Sequence, residues 1–448
     1  MNDKPRHTIQ FACIMVLLGA IVLQGFTRVV IMKPLSPYTS PVVVEEKDLS
    51  FKTYLDGSYQ EYLADYARQR TGFMEFFARC HNQVGYAFFG EIGNENVVKG
   101  ENKELFLKGT LDDITGKLLL SRYGTVENAK ADAQKNVQET LALIDTLRRH
   151  GTQFLFVFCP SKPFIYPESL PKGYRDSIAD FVLEDYYIRL FKEQGIPHID
   201  FLSYFKSIKD TFPYPLYTRT GSHWAESTIP FVADTLLRKM EAVSGLKLPS
   251  VNYIAPNLSR NYSDQDGELE THIDLLLPMC KPKVPQPVFA LQDTIGKDRP
   301  NLLVVGDGYF VLFENTPFLD AFDSWNYWKY NDDIISSDPK YNWQKVKSLP
   351  EAREMLEQAD IVMAMFTSNY LLNYMCGFIP TAMDFYRNAG EWEQKAIQST
   401  IESIQANPEW LRAVERQAKE KGITVEENLR RNAEYVLKTN RSEKRKQP

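Results

Sequence analysis

Residues 9–32 read IQFACIMVLLGAIVLQGFTRVVIM, and within them 11–26 holds only Gln24 as a strongly polar residue. A run this apolar, this near an N-terminus, constrains the rest of the chain more than any other feature. At about 1.5 Å per residue, residues 9–26 make about 27 Å of helix, close to the thickness of a bilayer core. Lys4 and Arg6 precede the run and Arg28 interrupts its far end. Basic residues on the leading flank favour an N-terminus inside and the remainder outside. No small-x-small cleavage site follows Gly25; the chain continues with bulky Phe, Arg, Val and Ile. The expectation is an uncleaved signal anchor, with a cleaved signal peptide and a buried core helix as alternatives. Residues 1–32 then form a cytoplasmic tip and transmembrane anchor. Residues 33–50, with three prolines, read as a tether. The expected location is a single-pass inner or plasma membrane protein whose soluble domain is extracytoplasmic (periplasmic).

The remainder is ordinary globular material. Hydrophobic residues are 44% of the 448 and charged ones 25%, which excludes wholesale disorder and a polytopic membrane protein. With 58 acidic and 52 basic side chains, the net charge of -6 gives no sign of a general nucleic-acid binder. Cys13, Cys80, Cys159, Cys280 and Cys376 have the spacing of neither a disulfide framework nor a metal motif.

Periodicity predicts a helix from 53 up to a break at Gly72 and a second over 73–89, short strands around a turn at 97–109, and a helix near 126–148. The run FLFVF at 154–158 suits a strand covered on both faces. Further strands are expected at 196–201, 301–305 and 361–366, with helices at 181–194, 225–242 and 350–359. Strands alternating with helices argue an α/β core with a mainly parallel sheet, spanning 51–383. Ligands of such sheets sit at the carboxyl ends of strands. The loops 159–168, 306–310 and 367–370 occupy that place. Residues 384–448 read as a helical tail: Asn407-Pro408 fits an N-cap with Pro at N1, Thr424 and Glu427 fit a capping box, and the last residues are expected to fray.

Three stretches carry candidate chemistry. In TRTGSHWAES, His223 stands in a loop between Ser222 and Trp224, with Arg219 nearby, and imidazole is suited to general-base work near neutrality. A structural histidine is the bland alternative. In VVGDGYF, Gly306, Asp307 and Gly308 follow a buried strand; such a turn either presents backbone N–H groups to an anion or merely ends the strand. In PSKPFIYPE, Ser161, Lys162, Tyr166 and Glu168 are polar handles, and Lys162 either binds an acidic group or forms a structural pair. The acidic run Asp264, Asp266, Glu268 and Glu270 before His272 lacks calcium-loop spacing and reads as a solvated helix start. Trp325, Tyr327, Trp328 and Tyr330 suit a sugar platform or core packing.

Together, the N-terminal anchor, VVKGENKELF, PSKPFIYPESLP, GSHW and GDGYF resemble the membrane-anchored SGNH-hydrolase-like proteins of polysaccharide O-acetylation, of the alginate acetyltransferase type. More distantly the chain is similar to the teichoic-acid D-alanylation protein. The His-Trp motif precedes the Gly-Asp turn, the order of this family and the reverse of ordinary SGNH esterases. The resemblance implies a three-layer α/β core without cofactor or metal. It implies acetyl transfer to the hydroxyls of a polysaccharide acceptor, from a membrane-bound O-acyltransferase partner. In the family, Gly-Asp-Ser supplies a nucleophilic serine and Asp-x-His-Trp the acid and base. Here Gly308 stands at the serine position and Gly221 at the aspartate position. The resemblance further implies substrate contacts from Ser161, Lys162, Tyr166, Arg219, Ser222, Trp224, Gly306, Asp307, Tyr309, Ser368 and Asn369. The departures leave three explanations: a non-catalytic glycan-binding or scaffold protein, direct transfer with His223 activating the acceptor hydroxyl, or an inactivated form.

Overall fold

Apolar runs too short for core helices find their place in a six-stranded sheet. Its strands are β1 (Gln153–Cys159), β2 (His198–Asp200), β3 (Asn301–Gly306), β4 (Ser324–Lys329), β5 (Asp333–Ser336) and β6 (Ile361–Thr367). The order across the sheet is β2-β1-β6-β3-β4-β5. All neighbours pair in parallel except β5, which returns antiparallel beside β4. The computed structural model describes residues 4–36 and 46–444. Within that range the sheet is the centre of an α/β core, mostly parallel as expected.

Burial explains the strand composition. Phe154, Leu155, Phe156, Val157 and Phe158 of β1 are at most 3% exposed, and every residue of β6 is buried. Each such side chain contributes about 1.5–3 kcal/mol on leaving water. The register sets Thr367 beside Cys159 and Met365 beside Gly306. The loops after β1, β3 and β6 therefore emerge side by side.

Among the helices, α1 (Lys4–Thr27) contains the apolar run and is long and apolar enough to cross a membrane. Between 51 and 69 the expected single helix is broken: Phe51–Leu55 ends at Asp56, and left-handed Gly57 starts α2 (Ser58–Gln69). Next, α3 (Met74–Val84) runs into one π-helical turn, Gly85–Phe89. Covering the sheet are α4 (Val126–Arg149), α5 (Leu183–Gln194) and α6 (Ile229–Ser244). A long antiparallel ribbon, Ser250–Ser259 with Val284–Gln292, leaves and rejoins the domain. The short helix α7 (Glu268–His272) lies in the loop between its strands.

The tail is three helices, Ala389–Ala406, Pro408–Lys421 and Val425–Lys444. Asn407 accepts from the backbone of Glu409 and Trp410, so the expected cap forms there, and Thr424 Oγ1 accepts from the Glu427 N–H, one half of the expected capping box. The middle of the tether, 37–45, the first three residues and 445–448 lie outside the described residues.

Candidate functional site

The site begins where β3 ends. Gly306 is a close-approach position: a Cβ there would stand 2.6 Å from the Met365 carbonyl oxygen of the neighbouring strand. Asp307 is fully buried. Its carboxylate accepts from the Thr367 N–H (2.7 Å), the Thr367 hydroxyl (2.6 Å) and the Tyr309 N–H (3.1 Å). Burial raises the Asp307 pKa, although these donors and His223 pull it back. Asp307 thus locks the turn to β6 and is not the partner of the imidazole.

Gly308 follows, outside the left-handed region of backbone space, so an L side chain is conformationally allowed. A Cβ built on it would lie 2.9 Å from His223 Nε2 and 3.7 Å from the Tyr330 hydroxyl. The two loops singled out in the sequence, some eighty residues apart, therefore meet at contact distance.

His223 is held from behind. Its Nδ1 lies 3.1 and 3.2 Å from the two carboxylate oxygens of Glu268. The same carboxylate accepts from the Ser222 N–H (2.9 Å) and the Ser222 hydroxyl. Nδ1–H donating to Glu268 leaves Nε2 as the lone-pair nitrogen facing Gly308. Burial opposes the imidazolium, but Glu268, with Asp307 further off, outweighs it, and the His223 pKa ends above its ordinary value. In Glu268 burial is outweighed in turn by His223 and Ser222, so its pKa is lowered. The Tyr309 ring stands edge-on to the imidazole, 4.8 Å between centroids.

The acidic run is therefore not a solvated helix start. Glu268 opens α7 and is turned inward. Asp266 accepts from the Glu226 N–H through its carboxylate, and from Thr218 and Thr220 through its backbone carbonyl. The Leu269 N–H donates to Thr220 O. These bonds clip 218–223 to 266–269. Burial, first among the causes, lifts the Asp266 carboxyl to about 7.

A cavity of about 220 Å³ opens above His223 and Gly308. Its walls include Thr110, Ser161, Ser222, Glu268, His272, Asp307, Tyr309, Tyr330, Asn369 and Tyr370. Tyr330 and Tyr370 pack at 5.2 Å between centroids. Burial raises the pKa of both phenols, which stay protonated donors at neutral pH.

Several expected contacts are turned elsewhere. Lys162 is buried, its ammonium 2.8 Å from Glu104 and donating to the carbonyls of Leu105, Thr218, Arg219 and Gly221. It is a structural pair that ties the His223 loop to the strand region at 105. Arg219 faces Glu104 at 3.8 Å. Tyr166 accepts from the Leu216 N–H behind the loop. Glu168 pairs with Lys209. Trp224 is a core residue, 1% exposed, against Phe201 and Tyr309. A Cβ on Gly221 would meet Thr218 Oγ1 at 2.7 Å, so a side chain there is obstructed. Tyr309 borders the cavity with its ring, but its hydroxyl donates to Pro160 O. The Ser368 hydroxyl donates to Asp113, which burial pushes up to about 6. Tyr327 and Trp328 are buried in β4, so the aromatic cluster is no continuous platform; only Tyr330 reaches the cavity.

Residues 116–288 match the family model described as the SGNH hydrolase-like domain of acetyltransferase AlgX. That stretch, a little over a third of the chain, is similar to an AlgX-type SGNH hydrolase-like domain. The matched stretch contains His223 and Glu268 and stops before Gly308. Among solved structures, the O-acetyltransferase domain of Pseudomonas putida AlgJ is similar at 16% identity, covering 64% of this chain and 99% of that one, TM-score 0.41. Pseudomonas aeruginosa AlgX is similar at 14% identity, covering 66% and 71%, TM-score 0.42. Bacillus cereus PatB1 with a sulfonyl adduct is similar at 12%, covering 56% and 93%, TM-score 0.34. No curated protein matches the chain by sequence.

Chemically, the cleft holds an oriented imidazole, and Gly308 puts no side-chain nucleophile beside its Nε2; the Ser222 hydroxyl lies on the other ring nitrogen, 3.3 Å from Nδ1. An imidazole fixed by a carboxylate accepts a proton from a hydroxyl within about 3 Å of Nε2. At Gly308 that hydroxyl has to come from water or from a ligand.

Proposed function

We propose that the protein takes part in O-acetylation of an extracytoplasmic polysaccharide, its cleft receiving a glycan hydroxyl over Gly308. His223 is the general base and Glu268, in place of the acid missing at Gly221, fixes its tautomer. The supporting observation is the 2.9 Å between His223 Nε2 and the β-carbon position of Gly308. With no serine, the chain forms no acyl-enzyme at 308. Transfer is direct: the acceptor hydroxyl gives its proton to Nε2 as its oxygen bonds the acyl carbon. The bond from that carbon to the donor breaks, and the donor leaves with the proton from His223. The donor is a membrane-bound O-acyltransferase partner. On this reading α1 is the signal anchor and the domain faces the extracytoplasmic side, with Ser161 and Asn369 contacting the glycan.

The test is polysaccharide acetylation in cells carrying the wild type, His223→Ala or Glu268→Gln in place of the chromosomal copy. The expected result is loss of acetyl ester in both variants at unchanged protein level. Full acetylation in both would sink the catalytic reading. A second reading, glycan binding without catalysis, is favoured by the missing nucleophile and by the Tyr330–Tyr370 pair at the cleft. It predicts intact acetylation in His223→Ala and reduced oligosaccharide binding, by calorimetry, in Tyr370→Ala.

A further inference from the structure

The anchor helix does not stand apart from the domain. Its last turns meet the link between α2 and α3 backbone to backbone. A Cβ on Gly25 would lie 2.0 Å from the Arg70 carbonyl oxygen, and a Cβ on Gly72 2.1 Å from the Ile21 carbonyl oxygen. No side chain larger than hydrogen fits at either position, the kind of approach small residues permit between packed helices in membranes. One turn further along, the Arg28 guanidinium reaches Glu75 at 3.5 Å.

These contacts fix a height. The apolar span runs from His7 to Thr27. At about 1.5 Å per residue, Ile21 lies about 9 Å inside its end, and the whole span, about 31 Å, matches a hydrocarbon core of about 30 Å. Residues 70–73, level with 21–25, therefore lie about 3–9 Å inside the end of the span, in the outermost part of any bilayer that α1 crosses. The side chains flanking that turn suit the depth. Leu63, Tyr66, Phe76 and Phe77 are 38 to 47% exposed. Aromatic rings favour the membrane interface, where one end is apolar and the other wet. Arg70 lies over the Tyr66 ring at 4.4 Å, its long stem able to carry the charge outward.

We infer that the α2–α3 link is a second membrane contact, its turn seated at the extracytoplasmic edge of the bilayer with Tyr66, Phe76 and Phe77 against lipid. The inference rests on the reading of α1 as a membrane span. Its occupant is the lipid surface, argued from continuity with that span. The contact also sets the height of the cleft. Along α3, Arg79 donates to the carbonyls of Lys33 and Pro34 and pairs with Asp274 at 3.3 Å. Asn82 donates to the carbonyls of Ile273 and Asp274. The Ser36 N–H donates to the Asp274 carboxylate at 2.9 Å. Asp274 comes two residues after His272, a wall of the cavity. From Met74 to Asn82 is about 12 Å of helix. One short strut thus joins lipid to cleft wall, and the cleft serves acceptors and donors presented close to the membrane surface.

The test uses the full chain in phosphatidylcholine vesicles brominated either near the glycerol or near the chain ends. Val16→Trp reports the span and Phe77→Trp the link, each read as emission added over the parent protein. The expected result is loss of most of the Val16→Trp increment with deep bromines, and of most of the Phe77→Trp increment with shallow ones. Adding Gly72→Leu to Phe77→Trp is expected to restore the emission by undocking the link. A quenched Val16→Trp with an unquenched Phe77→Trp would overturn the inference and leave the anchor reading standing. An unquenched Val16→Trp would overturn both.

Discussion

The two sides of the cleft are built to different degrees. On one side His223 is fixed by Glu268, Glu268 by Ser222, and the whole loop by Asp266, Thr220 and Lys162. On the other, the turn after β3 is just as firmly locked through Asp307 and Thr367, yet it ends in a residue without a side chain. The backbone that would carry a nucleophile is present; the nucleophile is absent. On the proposed reading, a site of this kind separates the positioning of an acyl-transfer centre from its covalent chemistry.

The largest expected effect comes from filling the empty side. Gly308→Ser places a hydroxyl beside Nε2, with a shift of a few tenths of an ångström in the imidazole. Hydrolysis of 4-nitrophenyl acetate should rise by about 10³-fold or more, with new labelling by a sulfonyl fluoride. Absence of both would show that the two sides do not form one centre. Next, Glu268→Gln within Gly308→Ser should remove about 10³- to 10⁴-fold of that gain, by analogy with loss of the carboxylate from a serine triad. If activity is unchanged, Glu268 is a structural acid only.

Stability tests probe the scaffold under the charged side. Lys162→Met leaves Glu104 and four carbonyls without their shared cation, and should cost about 3–5 kcal/mol in urea unfolding of the full chain. An unaltered midpoint would mean that the loop is held without it. The smallest effect is on pH. The His223 pKa is raised, so the activity of Gly308→Ser, which requires neutral imidazole, should climb with pH through an apparent pKa above about 6.5. Adding Glu268→Gln should move that point down. For stability the sign is opposite. The His223 contribution is full below its unfolded pKa and is lost as pH rises through the folded one. The Glu268 contribution is present above its unfolded pKa and is lost as pH falls through its lowered folded one.

Much of this fold was legible in the sequence. Runs such as 154–158 and 361–366 declare strands buried on both faces, because nothing polar interrupts them. Asn407-Pro408 and Thr424 announce helix starts through local chemistry alone. His223 and Gly308 were legible as loop residues after or beside strands. Glu268 was not, since it reaches His223 through a ribbon excursion between 250 and 292, and an acidic cluster in sequence looks like a wetted surface. The available signal was a deficit: a histidine with glycine at its acid position needs a carboxylate from elsewhere, and 264–270 is the first acidic cluster downstream. Lys162 was ambiguous for a related reason. Whether an ammonium meets a ligand or four main-chain oxygens depends on long-range packing that no local pattern records.

The ordinary backbone angles at Gly308 have an evolutionary consequence. A glycine codon ending in a pyrimidine is a single base change from serine, and only the His223 ring has to give way for the new side chain. With such a codon, one base change puts a serine beside His223, and selection can take or refuse that step without touching the fold.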